Sequence, residues 1–273
     1  MNQRLKMEEG MAELKVVVHG ALGKMGQEVL NAVNGSDGLV AVGGADFAAS
    51  ESTVTIPNSN SNVPLTNDLS QIISSADVVV DFTNAEGARS VMATSAPAGV
   101  HCVIGSTGMS ESDLSLARTL ADDNDTCIII APNFAMGAVL MTHLVGLASK
   151  FFDYADLTEV HHEAKIDAPS GTAISIAQAA AQGKQSPFEA PTAEKELIHN
   201  TRGGDHSGVV IHSGRMPGRV AHHEMVFGAL GQTLTIRHDS INRESFMPGV
   251  IMAIKETASR RGLTIGLDKI MGL

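Results

Sequence analysis

The tract Glu159-Val160-His161-His162-Glu163-Ala164-Lys165-Ile166-Asp167-Ala168-Pro169-Ser170-Gly171-Thr172-Ala173 packs two imidazoles, an ammonium group and a helix start close together. Imidazole titrates nearest to neutral pH, so His161 and His162 are the side chains best suited to give or take a proton. At the end of a strand, adjacent side chains point to opposite faces. One histidine can then face a cleft while the other supports it. Pro169-Ser170-Gly171-Thr172 opens a helix whose first N–H groups and dipole favour an anion such as a carboxylate. Lys165 adds a full positive charge. The tract therefore predicts a small, carboxylated substrate. From the residues alone a second reading stays open, a buried hydrogen-bonded histidine pair beside a solvated lysine. No metal site is predicted. The chain has 11 histidines, His222-His223 among them, but no H-x3-H or HExxH spacing, and its cysteines lie elsewhere.

A second set of residues points to a dinucleotide. Gly20-Ala21-Leu22-Gly23-Lys24-Met25-Gly26 is a GxxGxxG variant of the Rossmann fingerprint, with an apolar strand before it and a helix after it. Glycines there permit a tight turn and bring backbone N–H groups to a pyrophosphate at the helix terminus. Asp46 lies just past the second strand, where a carboxylate can accept both ribose hydroxyls of an adenosine and repel a 2′-phosphate. Phe47 follows it rather than a cation, which tilts the expectation toward NADH over NADPH. Lys24 in the nearby loop offsets part of that tilt. Three further loops, Phe82-Thr83, Gly105-Ser106-Thr107-Gly108 and Ala131-Pro132-Asn133-Phe134, also follow predicted strands. Ligands of such sheets bind beyond the strands' C-terminal ends.

The elements that must hold these residues alternate. Strands are predicted at 14–19, 39–45, 77–82, 100–104 and 126–131, with helices at 26–33, about 69–74, 85–96 and 111–122 between them. The Ser/Asn-rich stretch 48–62 reads as a surface loop. This rhythm implies an α/β, Rossmann-like, doubly wound parallel sheet. After Pro132 the rhythm changes. A helix at 135–152, a strand at 157–162, a helix at 172–182 and strands near 208–213, 220–228 and 232–238 predict a second α+β domain with a mainly antiparallel sheet. Leu234, Ile236 and His238 alternate there with Thr233, Thr235 and Arg237, as in a half-exposed strand. Residues 1–132, completed by 243–273 with a helix at 247–259, form the expected dinucleotide domain. Residues 133–242 form the expected substrate and oligomerisation domain.

Bulk properties narrow the class. The chain's 273 residues are 43% hydrophobic, enough for a sizeable core, and a formal charge of -11 argues against a nucleic-acid partner. The polar lead-in MNQRLKMEEG lacks the apolar segment of a secretion signal, and no apolar run approaches the roughly 18 residues that span a bilayer. No membrane partner and a cytoplasmic location are expected. Cys102 and Cys127 sit in apolar strands and read as buried, reduced thiols.

HHxxKxDAPSGTA, with GxxGxxG before it and GSTG and NF between, resembles the 4-hydroxy-tetrahydrodipicolinate reductase (dihydrodipicolinate reductase) family of diaminopimelate and lysine biosynthesis. The resemblance runs from about Leu14 to the C-terminus and includes the stretches 231–240 and Arg243–Phe246. It implies NAD(P)H-dependent reduction of a cyclic dicarboxylate. By position, His161 and Lys165 match the family's proton-transfer residues, and His162, Ser170, Gly171 and Thr172 its substrate-carboxylate contacts. The implied dinucleotide contacts are Gly20, Ala21, Leu22, Gly23, Lys24, Met25, Asp46, Gly105, Ser106, Thr107, Ala131, Pro132, Asn133 and Phe134. Ser106 stands where the family often has threonine, and Phe47 where some members have arginine. A homotetramer joined through the second domain's sheet is implied as well. Two alternatives remain: another two-domain dehydrogenase, of the semialdehyde or homoserine type, or an NADH-sensing protein without catalysis. The first needs a nucleophilic cysteine or another lysine constellation, and the second leaves His161, Lys165 and Ser170–Thr172 unexplained.

Overall fold

The computed structural model describes residues 13–191 and 193–273. The polar lead-in at 1–10 lies outside them. The chain divides into two compact units: one runs to Phe134 and resumes over Phe246–Gly272, and the other is Ala135–Ser245.

The first unit is built on strands of short β-branched runs. They are β1 (Leu14–His19), β2 (Leu39–Ala45), β3 (Thr53–Thr55), β4 (Asn62–Thr66), β5 (Val78–Asp81), β6 (His101–Ile104), β7 (Cys127–Ile130) and β13 (Gly262–Ile265). Their order across the sheet is β13-β7-β6-β5-β1-β2-β4-β3, and every neighbouring pair is parallel except β3–β4. Val16–Val18 and Val78–Val80 are wholly buried, as continuous apolar strands must be when both faces are covered. Helices α1 (Lys24–Asn34), α2 (Ala85–Ser95), α3 (Glu111–Asp123), α6 (Met247–Glu256) and α7 (Leu267–Met271) complete the unit. A capping box in which Ser110 and Asp113 exchange hydrogen bonds starts α3. The strand order reverses beside β1, with β2 on one side and β5 on the other. That switch point is where loops diverge and leave a crevice.

Two local expectations differ from the structure. The 48–62 stretch is not all loop: β3 and β4 form a hairpin there because Val54, Ile56, Val63 and Leu65 alternate inward among polar neighbours. The segment 69–74 is two 3-10 turns, Leu69–Gln71 and Ile73–Ser75, started by the Asp68 side chain accepting from the Ser70 N–H. Strand β13 is not predicted because, unlike the equally short β5, β6 and β7, its Gly-Leu-Thr-Ile is half-exposed and carries no continuous apolar run. Both cysteines lie in this unit, buried in β6 and β7, and burial pushes the Cys102 and Cys127 thiols up to about 12 and about 11.

The second unit is a five-stranded sheet ordered β12-β11-β8-β10-β9. It comprises β8 (Tyr154–His161), β9 (Gly204–His206), β10 (Val209–Arg215), β11 (Ala221–Ala229) and β12 (Gln232–Ser240). Among the described residues of this sheet, only β8 and β10 run parallel. Helices α4 (Met136–Ser149) and α5 (Gly171–Lys184) cover one face, with Met141, Val145, Ile176 and Ala177 packing on Leu157, Met225 and Phe227. Gly183 lets the helices touch: a Cβ there would meet the Gly146 carbonyl oxygen at 2.0 Å. No helix among the described residues is long and apolar enough to cross a membrane.

Candidate functional site

In the second unit, alternation along β8 puts Glu159 and His161 on the helix-covered face together, two residues apart. Glu159 is fully buried and His161 is 6% exposed. The Glu159 carboxylate accepts a hydrogen bond from His161 Nδ1. It also takes two from Arg215, at 3.0 and 2.9 Å, and one from Ser213. Register explains the convergence, since Ser213 and Arg215 of β10 lie directly beside Glu159 and His161. Burial alone would raise the Glu159 carboxyl, but the donors from His161, Arg215 and Ser213 outweigh it and hold it at about 2. An ionised carboxylate on Nδ1 fixes the ring so that Nε2 is the position that exchanges a proton.

Arg215 also ties this buried pair to the loop that carries Lys165. Its second amino group donates to the Asp167 carbonyl at 2.6 Å, and Lys165 Nζ lies 2.7 Å from Asp167 Oδ1. The Lys165 ammonium pulls the Asp167 carboxyl below its ordinary value. At the end of the same loop, Ser170 caps α5 by accepting the Ala173 N–H at 3.1 Å. A Cβ added at Gly171 would meet nothing within 4 Å, so the start of α5 opens onto space. His223 of β11 stands 3.1 Å from Ser170 Oγ through Nε2 and packs edge-on against His161, ring centres 5.2 Å apart. Burial, reinforced by His161 and opposed by Glu159, pushes His223 down to about 4. Hydrogen bonds through Glu159, Arg215 and Asp167 therefore link His161 to Lys165, and the packing of His223 on His161 brings Ser170 beside them. His162 is exposed, and its carbonyl closes a turn onto the Lys165 N–H. Sequence reasoning missed Glu159, Arg215 and His223. The period-two spacing of Glu159 and His161 was a usable signal, while Arg215 and His223 arrive through strand pairing that no local pattern encodes.

In the first unit, Gly20 at φ +77 makes the turn that ends β1, and its N–H donates to the Ala45 carbonyl at 2.8 Å. A Cβ at Gly26 would lie 2.1 Å from the Gly20 carbonyl oxygen, so only glycine lets α1 approach this turn. Gly23 caps α1 without any side-chain acceptor, which leaves the first-turn N–H groups to meet an anion. Ala21 is buried beneath the loop, whereas Leu22, Gly23 and Lys24 are exposed and Met25 is half-buried. Asp46, 7% exposed, braces the same loop: one carboxylate oxygen accepts the Leu22 N–H and the other the Ala48 N–H, both at 3.0 Å. Each oxygen retains a further lone pair for a ribose hydroxyl. Phe47 beside it is 93% exposed. A Cβ at Gly105 would run into the Phe82 ring at 2.1 Å, and that ring packs on Phe134 with centres 5.6 Å apart. Ala131 and Phe134 are buried, Pro132 and Thr107 exposed, and Ser106 turns inward. The turn geometry and the uncapped helix start fit a dinucleotide. Asp81 at the end of β5 was missed. Its buried carboxylate receives His19 Nδ1, Thr83 Oγ1 and Ser106 Oγ at 2.6, 2.7 and 2.6 Å.

A glycine-loop parallel sheet joined in one chain to a unit bearing a carboxylate-backed histidine and a lysine defines an NAD(P)H-dependent oxidoreductase. Residues 14–134 match the family described as dihydrodipicolinate reductase, N-terminus, and residues 137–271 match its C-terminus. The 4-hydroxy-tetrahydrodipicolinate reductase of Dehalococcoides mccartyi is 44% identical over 265 residues, spanning 96% of this chain and 100% of that protein. The enzyme of the same name from Syntrophomonas wolfei is 41% identical over 263 residues, 94% of this chain and 98% of its own. Among solved structures, dipicolinate-bound dihydrodipicolinate reductase from Paenisporosarcina sp. TG-14 superposes with a TM-score of 0.84 at 36% identity, covering 94% of this chain and 99% of that one. The chain belongs to the dihydrodipicolinate reductase family.

Proposed function

We propose that this protein reduces 4-hydroxy-tetrahydrodipicolinate to tetrahydrodipicolinate in diaminopimelate and lysine biosynthesis, with His161 and Lys165 as its proton-transfer groups. The observation that carries the assignment of roles is the buried Glu159 carboxylate on His161 Nδ1, linked through Arg215 to the Lys165 loop. Loss of the substrate's 4-hydroxyl as water conjugates the ring imine. When bound, a reduced nicotinamide would supply the hydride for C4. The enamine so formed takes up a proton at C3, and overall one hydride and one proton are gained and one water is released. His161 holds that proton at Nε2, with the Glu159 charge stabilising the imidazolium while it is loaded. Lys165 places an ammonium where it can polarise the imine nitrogen or pair with a ring carboxylate. Ser170, Gly171 and Thr172 receive a carboxylate at the start of α5, and His162 adds a polar contact from the loop.

The dinucleotide pyrophosphate is assigned to the loop Gly20–Met25, the adenosine ribose to Asp46, and the nicotinamide end to Gly105–Thr107 and Ala131–Phe134. Asp46, with no cation at Phe47, supports NADH as the preferred donor. A homotetramer assembled through the sheet face opposite α4 and α5, where Val160 and Val226 are half-buried, is the expected state. Sedimentation at the mass of a monomer would remove it. His161→Gln and Lys165→Met are each expected to lower kcat by about 10²- to 10⁴-fold with dinucleotide affinity nearly unchanged. Full turnover in both variants would overturn the roles. Asp46→Ala is expected to raise KM for NADH more than for NADPH. An equal rise would mean that the carboxylate does not read the ribose.

A further inference from the structure

Three side chains from three different parts of the chain converge on the buried Asp81 carboxylate. His19 ends β1, Thr83 follows β5 and Ser106 follows β6, so the convergence lies at the switch point of the sheet. A carboxylate accepts hydrogen bonds and donates none. The Thr83 and Ser106 hydroxyl hydrogens must therefore both point at Asp81. Each oxygen is left with lone pairs alone to offer a ligand. Gly20 and Gly87 leave the room that Thr83 occupies: a Cβ at Gly20 would meet its methyl at 2.7 Å, and one at Gly87 would meet its hydroxyl at 2.1 Å. Thr83 thus sits between two glycines with its hydroxyl hydrogen committed to Asp81.

We propose that Asp81 is a positioning residue that turns Thr83 and Ser106 into hydrogen-bond acceptors, so that this part of the dinucleotide site selects ligand groups that donate. The donors a nicotinamide riboside brings are its carboxamide NH2 and its ribose hydroxyls. A nicotinate carboxylate brings only acceptors and a negative charge, which would face two lone-pair-bearing oxygens and the Asp81 charge behind them. The phosphates are excluded from this position for the same reason and belong at the uncapped start of α1. The inference deepens the dinucleotide assignment above and rests on it, but needs no assumption about the second substrate.

The test is calorimetric binding of NAD+ and of its nicotinic acid analogue to the whole protein without second substrate, with ADP-ribose as a ligand lacking the pyridine ring. The wild-type protein is expected to prefer the amide over the acid by about tenfold or more. In Asp81→Asn the hydroxyls regain freedom to donate, and the preference is expected to fall to within about threefold while ADP-ribose affinity holds. Thr83→Val keeps the shape between the two glycines and removes one acceptor. It should erode the preference in the same direction, and it serves should Asp81→Asn not fold. Equal wild-type affinity for the two dinucleotides would overturn the proposal. So would a preference that survives in Thr83→Val and in a folded Asp81→Asn, since that outcome makes Asp81 a structural brace only. Failure to bind ADP-ribose at all would instead overturn the dinucleotide assignment itself.

Discussion

Among the described residues, each unit holds one buried carboxylate that receives an imidazole through Nδ1, and the company each keeps separates their tasks. Glu159 pairs with a guanidinium as well as with His161, so its charge is balanced by a permanent cation that also reaches the Lys165 loop. Asp81 has only His19 and two hydroxyls. The first arrangement holds one ring by its Nδ1 and leaves Nε2 free of the carboxylate. The second sets the orientation of two hydroxyls, Thr83 and Ser106, beyond the ends of neighbouring strands. A buried acid is thus not one device: its effect follows from whether its donors carry charge and whether they can move.

The largest effect that separates them is expected from Glu159→Gln. The amide can no longer stabilise an imidazolium at His161 and leaves Arg215 without its counter-ion, so kcat should fall by about 10²- to 10⁴-fold. Dinucleotide affinity should stay unchanged, and a parallel loss of binding would break the distinction. Acid should act next, on the second unit. His223, held at about 4 when folded, is neutral there while the unfolded chain takes up a proton near 6.5. Between those values the unfolded form binds more protons, so stability is lost as pH falls from about 6.5 to about 4, by on the order of 3 kcal/mol. Glu159 extends the loss: its stabilisation is present above about 4.5 and disappears toward about 2. Urea melts across this range check both windows, and His223→Gln should flatten the upper one. The smallest effect is expected from Asp81→Asn, about a tenfold rise in dinucleotide KM with dipicolinate affinity unchanged. Weakened dipicolinate binding would show that Asp81 acts beyond its own loops.

Much of this was legible beforehand, and the exceptions share a cause. The strands β1, β5, β6 and β7 announced themselves because both-face burial demands unbroken apolar runs. His161, Lys165 and Ser170 were visible because one short tract carries them. Arg215 and His223 were not, because they reach Glu159 and Ser170 through register between β8, β10 and β11, which depends on long-range pairing. Asp81 looked like the polar end of a strand, and only the convergence of His19, Thr83 and Ser106 on its carboxylate reveals what it orients. The hairpin β3–β4 was hidden by its serines and asparagines, although the inward alternation of Val54, Ile56, Val63 and Leu65 was present in the sequence.

The two cysteines carry a practical consequence. Both lie in adjacent central strands of the first unit, and residues 135–245 contain none. Their thiols are shut away and hard to ionise, so an alkylating reagent reaches them only when that sheet opens. Labelling rate is therefore a clock for the opening of one unit, silent to events in the other. Run with and without dinucleotide, it reads ligand occupancy as protection of a sulfur that no ligand needs to touch.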